Sequence, residues 1–276
     1  MQDYQLSDIY IYPIKSLGAI RLDNTKTTEK GLQYDRRWML IDTENNFMTI
    51  RRNVEFLFFK LSMTDHGFRV AYKGDALEVP FDFHSDEEIT CSVWDDEVIA
   101  LKGKSNWNKW FSEKIGRPCS LVYMPEESNR VIKPMWGGTS VSFADGYPLL
   151  VVGEESLKEL NHKLESPVEM MRFRPNLVFN GGKAYDEFNW STFKIGEVEF
   201  QGLKPCARCI VTTYDPKTGE KDREPLLTLS KQKIDGNIVF GQHSKSVDSG
   251  VISEGDSIKI LSHKSEPYAP IDGLSL

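Results

Sequence analysis

Two cysteines separated by two residues, Cys206 and Cys209, form the stretch of this sequence with the clearest chemical potential. They lie in Lys-Pro-Cys-Ala-Arg-Cys-Ile, and residues 202–210 contain two basic side chains and no acidic one. Nearby cations stabilise a thiolate and lower its pKa, so an ionised cysteine is accessible here near neutral pH. A thiolate suits a soft metal or a role in sulfur handling.

Four interpretations of this cysteine pair stay open from the residues alone. A structural zinc site needs four ligands at set spacing, and Cys91 and Cys119 are isolated far upstream. A thioredoxin-like redox pair needs the start of a helix, whereas the sequence after Cys209 predicts a strand over 210–214. Both cysteines could also be small buried apolar residues at a strand start. The fourth interpretation is a thiolate held at a strand edge in a cationic pocket.

Three further clusters of polar and basic residues have unusual local surroundings. Lys15 and Ser16 follow a strand and a proline, and Arg36 stands at the start of the next strand. Arg172 and Arg174 alternate with apolar residues, which predicts that both guanidinium groups lie on one strand face. Arginine offers a planar fork to phosphate oxygens, and lysine offers a point charge. Each cluster alone could equally be a solvated or ion-paired surface cation.

Short strands punctuated by turns are predicted to position these residues. Segments rich in β-branched and aromatic residues predict strands over 8–12, 37–41, 56–59, 68–72, 177–179, 198–201, 210–214, 238–240 and 257–261. Apolar spacing predicts helices over 105–115, capped by Ser105, and over 154–164. The fold class is therefore predicted as mainly β with a few helices (α+β), in two β-rich halves.

Composition limits the classes of function. The chain has 276 residues and a formal net charge of −7, with 34 basic and 41 acidic residues. We therefore expect no nucleic-acid partner, because the charge gives no attraction for a phosphate backbone. No apolar run exceeds four residues, so no membrane-spanning helix is expected. The first residues lack the pattern of a signal peptide, and we expect a cytoplasmic protein with reduced thiols.

The motifs, taken in order, resemble one family over residues 4–261. Tyr12-Pro13-Ile14-Lys15-Ser16, Gly31-Leu32, Tyr34-Asp35-Arg36-Arg37-Trp38 and Arg51-Arg52 resemble the N-terminal β-barrel domain that precedes MOSC domains. Arg172 to Asn176, Trp190, Ile195-Gly196, Pro205 to Cys209, Asp215-Pro216 with Thr218-Gly219, Phe240-Gly241 and Gly255-Asp256 resemble the MOSC domain itself. Within this family, the motifs of this chain resemble those of the amidoxime-reducing component and its bacterial counterparts. We accordingly predict a barrel domain over 1–125, a MOSC domain over 126–262 and a loosely attached tail over 263–276.

This resemblance implies a molybdenum cofactor, in which a pyranopterin dithiolene and one protein cysteine hold the metal. Cys209 matches the cysteine that ligates molybdenum and is the predicted metal ligand and catalytic residue. Cys206 would then be a bystander or a supporting thiol. The residues that match cofactor-binding positions of the family are Lys15, Ser16, Arg36, Arg174, Asn176 and Arg208.

The implied activity is reduction of N-hydroxylated small molecules such as amidoximes, hydroxylamines and N-hydroxylated base analogues. No cysteine follows Cys209, so an iron–sulfur domain is not expected. Electrons are therefore expected from a separate flavin or ferredoxin-type reductase. A sulfur-carrier or cofactor-delivery protein with a persulfide on Cys209 is the alternative. A β-rich binding module with structural cysteines is a third hypothesis.

Three positions depart from the family pattern. His243 stands where close relatives carry a tyrosine, and Tyr147 stands where relatives have a small hydroxyl residue. Ala207 replaces a serine between the two cysteines. The change at His243 is expected to alter the substrate pocket or its hydrogen bonds, and Ala207 lacks the hydroxyl donor that a serine would offer. His243 is the histidine we nominate for proton delivery.

Overall fold

The computed structural model describes residues 3–136, 138–231, 233–266 and 268. The strands are β1 Tyr4–Ile11, β2 Ile20–Leu22, β3 Asn24–Thr28, β4 Gly31–Leu32, β5 Trp38–Ile41, β6 Lys60–Thr64, β7 Gly67–Tyr72, β8 Asp75–Pro80, β9 Glu88–Val93, β10 Asp96–Lys102, β11 Ser120–Tyr123, β12 Leu149–Gly153, β13 Leu177–Asn180, β14 Trp190–Ile195, β15 Val198–Ala207, β16 Lys233–Ile234, β17 Asn237–Ser246, β18 Val251–Ser253 and β19 Ser257–His263. The α-helices are α1 Ser105–Ile115, α2 Glu154–Asn161 and α3 Leu226–Leu229. The prediction of a mainly β chain with a few helices is confirmed.

The chain divides into two compact units, and each unit is made of more than one segment. The first unit comprises Met1–Tyr10, Arg21–Gln33 and Tyr147–Leu276, and the second comprises Ile11–Ile20 and Tyr34–Gly146. The boundary predicted between residues 125 and 126 stays a prediction. Of the predicted tail over 263–276, residues 263–266 and 268 are described, and the others lie outside the described residues.

Seven strands of the first unit form a closed barrel in the order β12-β13-β1-β19-β14-β15-β17, and β17 pairs with β12 to complete it. Neighbouring strands are antiparallel except for β12 and β13. Aromatic residues from several strands pack together: the Trp190 ring lies 5.1 Å from Tyr4, 4.6 Å from Phe179 and 5.2 Å from Phe193. Closure leaves no unpaired strand edge in this ring of described strands.

The second unit contains two antiparallel sheets and one helix. The sheets have the strand orders β5-β11-β10-β9 and β6-β7-β8. Helix α1 has the bounds that the apolar spacing predicts, and its buried residues are Trp107 and Phe111. Ser105 is the first helical residue and not the cap, because Lys104 occupies the capping position without a side-chain bond. Gly116, with φ at 78°, ends the helix in the left-handed conformation that suits glycine.

Three predicted elements differ in the structure. Residues 56–59 were expected as a strand, but Val54–Phe58 form a 3-10 turn that buries Phe56. Helix α2 ends at Asn161, three residues before the predicted end. Residues 210–214 were also expected as a strand, whereas Ile210–Thr213 form a 3-10 turn. There the Thr212 and Thr213 hydroxyls donate to nearby backbone carbonyls, and such local bonds compete with strand pairing.

No helix among the residues that the structure describes is long and apolar enough to cross a membrane.

Candidate functional site

The two cysteines of the central motif occupy different environments in the first unit. Cys206 is buried near the end of β15, and Cys209 is half-buried just before the 3-10 turn. The Cys209 carbonyl accepts bonds from the Thr212 amide at 3.2 Å and the Thr212 hydroxyl at 3.1 Å. Its sulfur has no hydrogen-bond partner among the residues that the structure describes. Cys209 therefore combines a fixed backbone with a sulfur that is available to a ligand.

The cationic influence predicted for this motif acts on Cys206. Arg208 donates from Nη1 to the Cys206 sulfur at 2.9 Å. Burial raises the pKa of the Cys206 thiol, but the charges of Arg208 and His243 and their hydrogen bonding outweigh it and lower the pKa to about 6. At the other two buried thiols, burial raises the pKa, to about 12 for Cys91 and above its usual range for Cys119. The nearby charges therefore favour the thiolate form of Cys206.

Arg208 points toward the protein and not toward solvent. Its Nη2 donates to the Phe173 carbonyl at 2.6 Å, and its guanidinium carbon lies 5.5 Å from the centre of the Phe173 ring. Its backbone amide donates to the Ile238 carbonyl at 2.7 Å. The buried Nε has no hydrogen-bond partner within the described part of the chain. Arg208 therefore connects the cysteine motif to the segment that carries the next two predicted residues.

Arg174 and Asn176 follow Phe173 on an irregular segment and not on a strand. Met170–Arg172 form a 3-10 turn, and Arg174 has left-handed backbone with φ at 54°. The prediction that Arg172 and Arg174 share one strand face is therefore wrong, and Arg172 instead pairs with Asp215 at 3.0 Å.

Asn176 is buried directly before β13, the strand that pairs with both β12 and β1. Its Oδ1 accepts from the Leu150 amide at 3.2 Å, and its Nδ2 donates to the Tyr10 carbonyl at 3.1 Å. The side-chain amide therefore bridges the backbone of β12 and β1, which fixes the segment that follows Arg174.

The other three predicted cofactor-binding residues belong to the second unit. Lys15 and Ser16 form a turn that is closed by a bond of 3.1 Å from the Leu17 amide to the Ile14 carbonyl. Arg36 donates to Asp35 at 2.5 Å.

The sequence did not reveal the main partner of Lys15. The Lys15 ammonium is buried and donates to the Phe143 carbonyl at 2.6 Å and to Asp145 at 2.5 Å. Burial lowers the pKa of Lys15 to about 8, against the opposing effect of Asp145. Arg51 donates to the second oxygen of Asp145 at 2.7 Å. A buried lysine needs a counter-charge, but the chain offers many acidic residues and the sequence does not say which one supplies it.

Left-handed backbone is common to three of the predicted site residues. Ser16, Arg36 and Arg174 have φ values of 71°, 50° and 54°. Residues other than glycine rarely adopt this conformation, because their Cβ approaches the following carbonyl oxygen. Such strain is often found at functional sites, where the surrounding structure holds it. The sequence carries no signal for it, because none of these residues is a usual left-handed residue.

The two main departures from the family pattern lie in contact with each other. The Tyr147 ring stacks on the His243 ring with their centres 4.4 Å apart, and the Lys204 ammonium lies 5.0 Å from the Tyr147 ring. Lys204 and His243 are opposite each other on β15 and β17. His243 also acts on Cys206, so the departures border the cysteine motif. The structure thus brings Cys206, Arg208 and His243 together within the first unit.

The barrel of the first unit, the β-rich second unit and the cysteine motif define the class of this protein. The chain belongs to the MOSC family: a family model described as "MOSC domain" matches residues 138–259, and one described as "MOSC N-terminal beta barrel domain" matches residues 4–118. The resemblance noted from the motifs is confirmed.

Individual relatives are similar over most of this chain. The Mus musculus protein named "Mitochondrial amidoxime-reducing component 1" is 32% identical over 278 residues, which cover 93% of this chain and 82% of that protein. The Homo sapiens protein of the same name is 29% identical over 279 residues, with the same coverage. The Oryza sativa subsp. japonica "Molybdenum cofactor sulfurase" is 32% identical over 275 residues, which cover 87% of this chain and 32% of that protein. The relatives therefore associate this chain with molybdenum cofactor proteins.

Proposed function

We propose that this protein is a molybdenum-cofactor-dependent oxidoreductase that reduces N-hydroxylated small molecules. Its substrates would be amidoximes, hydroxylamines or N-hydroxylated base analogues, with electrons from a separate flavin or ferredoxin-type reductase. The observation that carries the proposal is the Cys209 sulfur, which is half-buried, fixed through its backbone and without a partner in the described residues. The relatives named amidoxime-reducing components support the choice of substrate class.

The residues of the first unit fit such a cofactor chemically. A soft thiolate is the expected protein ligand for molybdenum, and Cys209 offers one. The buried Nε of Arg208 lacks a hydrogen-bond partner among the described residues. Donors of this kind suit the polar and anionic edge of a pterin. Arg174 would add a charged fork, and Lys15, Ser16 and Arg36 of the second unit stay predicted cofactor-binding residues on the sequence resemblance.

The reaction converts an N-hydroxyl group into N–H and water, and it consumes two electrons and two protons. When bound, the cofactor supplies the oxygen-atom and electron transfer, and the protein supplies binding, orientation and protons. We assign to Cys209 the ligation of the metal, and to Asn176 the positioning of the segment that carries Arg174. His243 would hold a proton at Nδ1 for delivery to the substrate.

The first experiment measures molybdenum and pterin in the purified protein. The chain is expressed in a cofactor-competent host with added molybdate, alongside Cys209→Ser and the control Cys119→Ser. We expect near-stoichiometric molybdenum in the wild type and in Cys119→Ser, and a loss of at least about tenfold in Cys209→Ser. A wild-type protein without molybdenum and pterin would contradict the proposal.

Activity then tests the substrate class. The loaded protein is supplied with an artificial electron donor and an amidoxime, and the amidine product is quantified. We expect turnover by the wild type and none by Cys209→Ser. A loaded wild type that turns over no N-hydroxylated compound would remove the reductase assignment and leave a cofactor-binding protein.

A sulfur carrier is the second candidate, and the similarity to the molybdenum cofactor sulfurase favours it. In this case Cys209 would carry a persulfide sulfur and hand it on. Mass spectrometry of the protein after incubation with a persulfide donor, whose outer sulfur passes to the Cys209 thiolate while the donor leaves as a thiol, distinguishes the candidates. A mass increase of one sulfur atom that is lost in Cys209→Ser supports the carrier.

The location of the protein also stays part of the proposal. We retain the expectation of a cytoplasmic protein, although the amidoxime-reducing relatives bear names that place them in mitochondria. Fluorescence microscopy of the tagged protein in the organism that produces it tests this location.

A further inference from the structure

Arg208 has no carboxylate partner although part of it is buried. Its two terminal nitrogens donate to the Cys206 sulfur at 2.9 Å and to the Phe173 carbonyl at 2.6 Å. Among the residues that the structure describes, no Asp or Glu is bonded to it. Desolvation penalises a cation that lacks a counter-charge, and neither a carbonyl nor a neutral thiol supplies one. The Cys206 sulfur is the group in position to do so when it is ionised.

The environment of Cys206 is otherwise apolar. Its buried neighbours in the same cluster are Leu150, Val152, Leu160, Val168, Phe173, Leu229 and Phe240. The charged groups that act on Cys206 are Arg208, two residues further along the chain, and His243 on β17. Tyr185 packs against Phe240 of the same cluster, and Glu159 of helix α2 acts on this tyrosine. The pKa of Tyr185 is raised by burial, so this phenol is neutral. The charges that act on Cys206 are therefore cationic and favour its thiolate.

We propose that Cys206 is a positioning residue whose thiolate is the counter-charge of Arg208 and holds it against the Phe173 carbonyl. Arg208 then joins two segments of the first unit, the end of β15 and the residues that lead to Arg174. Because Cys209 follows Arg208 directly, this contact also fixes the chain that carries the Cys209 sulfur. The inference goes beyond metal ligation, and its role in cofactor binding rests on the proposed function.

The charge of Cys206 is measured first, without any cofactor. Ultraviolet absorbance at about 240 nm follows thiolate formation between about pH 4.5 and pH 8 in the Cys209→Ser background, which removes the neighbouring thiol. We expect a step with a midpoint near the pKa of about 6. The step should disappear when Cys206→Ser is added, and it should persist in the matched controls Cys91→Ser and Cys119→Ser.

His243 provides a second measurement that does not alter the cysteine. His243→Phe keeps an aromatic ring beside Tyr147 and removes the imidazole, so the midpoint of the thiolate step should move to higher pH. A folded protein without a thiolate step below about pH 8, or with a step that survives Cys206→Ser, overturns the proposal.

The role in positioning is tested by the molybdenum and pterin contents of two Cys206 variants in a cofactor-competent host. Cys206→Ser removes the charge and keeps the size, and it should lower both contents by about tenfold. Cys206→Asp restores an anion and should recover most of the loss. Equal contents in the wild type and Cys206→Ser overturn this role, whereas an empty wild type counts against the proposed function and leaves the thiolate titration to decide the charge of Cys206.

Discussion

Backbone strain at Ser16 gives a stability test that is separate from cofactor binding. Ser16 has φ at 71°, and glycine adopts this conformation without a Cβ penalty. We expect Ser16→Gly to be at least as stable as the wild type, and Ser16→Ala to be about 1 kcal/mol less stable than Ser16→Gly. Urea unfolding at neutral pH measures the three free energies. Equal values for the two variants would show that the position is not strained.

The buried ammonium of Lys15 makes Asp145 important for stability. Partial desolvation opposes ionisation of Asp145, but Lys15 and Arg51 hold the pKa of this carboxyl below its usual range. Its contribution to stability is therefore present above about pH 4 and is lost as the pH falls further.

Asp145→Asn leaves Lys15 buried without a carboxylate. Because Asp145 is half exposed, we expect a loss of about 2 kcal/mol at pH 7, less than for a fully buried pair. Asp95→Asn, at an exposed position of the same unit, serves as the control and should change the unfolding free energy by less than about 0.5 kcal/mol. Similar effects of the two substitutions would contradict the role of the Lys15–Asp145 pair.

Helix α2 depends on a buried carboxyl from another segment. Glu187 is fully buried, accepts from the Ser156 hydroxyl at 2.9 Å and accepts from the Gly153 amide at 3.4 Å. The positive end of a helix favours an ionised carboxylate, yet burial is the larger effect and raises the pKa of Glu187 to about 7. Glu187 is therefore partly protonated at neutral pH.

Because its pKa is raised, Glu187 should make the stability of the fold decrease with increasing pH. Between about pH 4.5 and pH 7 the folded chain keeps a proton on Glu187 that the unfolded chain releases, so stability falls as the pH rises. Glu187→Gln cannot ionise, so from about pH 5 to pH 8 the wild type should lose about 2 kcal/mol relative to this variant. Chemical unfolding at several pH values measures the difference, and Glu197→Gln, an exposed control, should follow the wild type. If the unfolding free energy of the wild type and of Glu187→Gln changed with pH in the same way, the raised pKa of Glu187 would be disproved.

At the scale of the whole molecule, cofactor binding should stabilise the fold. A ligand that binds only the folded chain raises its stability, by about 2.7 kcal/mol at a hundred times the dissociation constant. For a chain of this size we expect a melting temperature about 5 °C higher after expression in a cofactor-competent host than in a cofactor-deficient one. The Cys209→Ser variant should have the same melting temperature whether it is expressed in the cofactor-competent or the cofactor-deficient host. Calorimetry compares the four samples, and an equal rise in the variant would show that Cys209 does not anchor the ligand.

Local patterns in the sequence predicted much of the fold. Trp107 and Phe111 at helical spacing predicted the bounds of α1, and β-branched runs predicted strands such as β7 and β13. The predictions failed where two structures suit the same residues. The run over 210–214 has strand composition, but the Thr212 and Thr213 hydroxyls satisfy backbone carbonyls locally and close a turn.

The sequence by itself determined the mainly β class, the family and the cationic character of the cysteine motif, because these depend on composition, order and neighbours along the chain. Tertiary structure decided which thiol the cations act on. Arg208 and His243 meet at Cys206 only because β15 and β17 are paired and Arg208 turns inward to Phe173. The folded structure likewise places Asp145 beside the buried Lys15 as its counter-charge, and burial of Glu187 raises its pKa. Charges and desolvation act through space, and the distances that control them exist only in the folded chain.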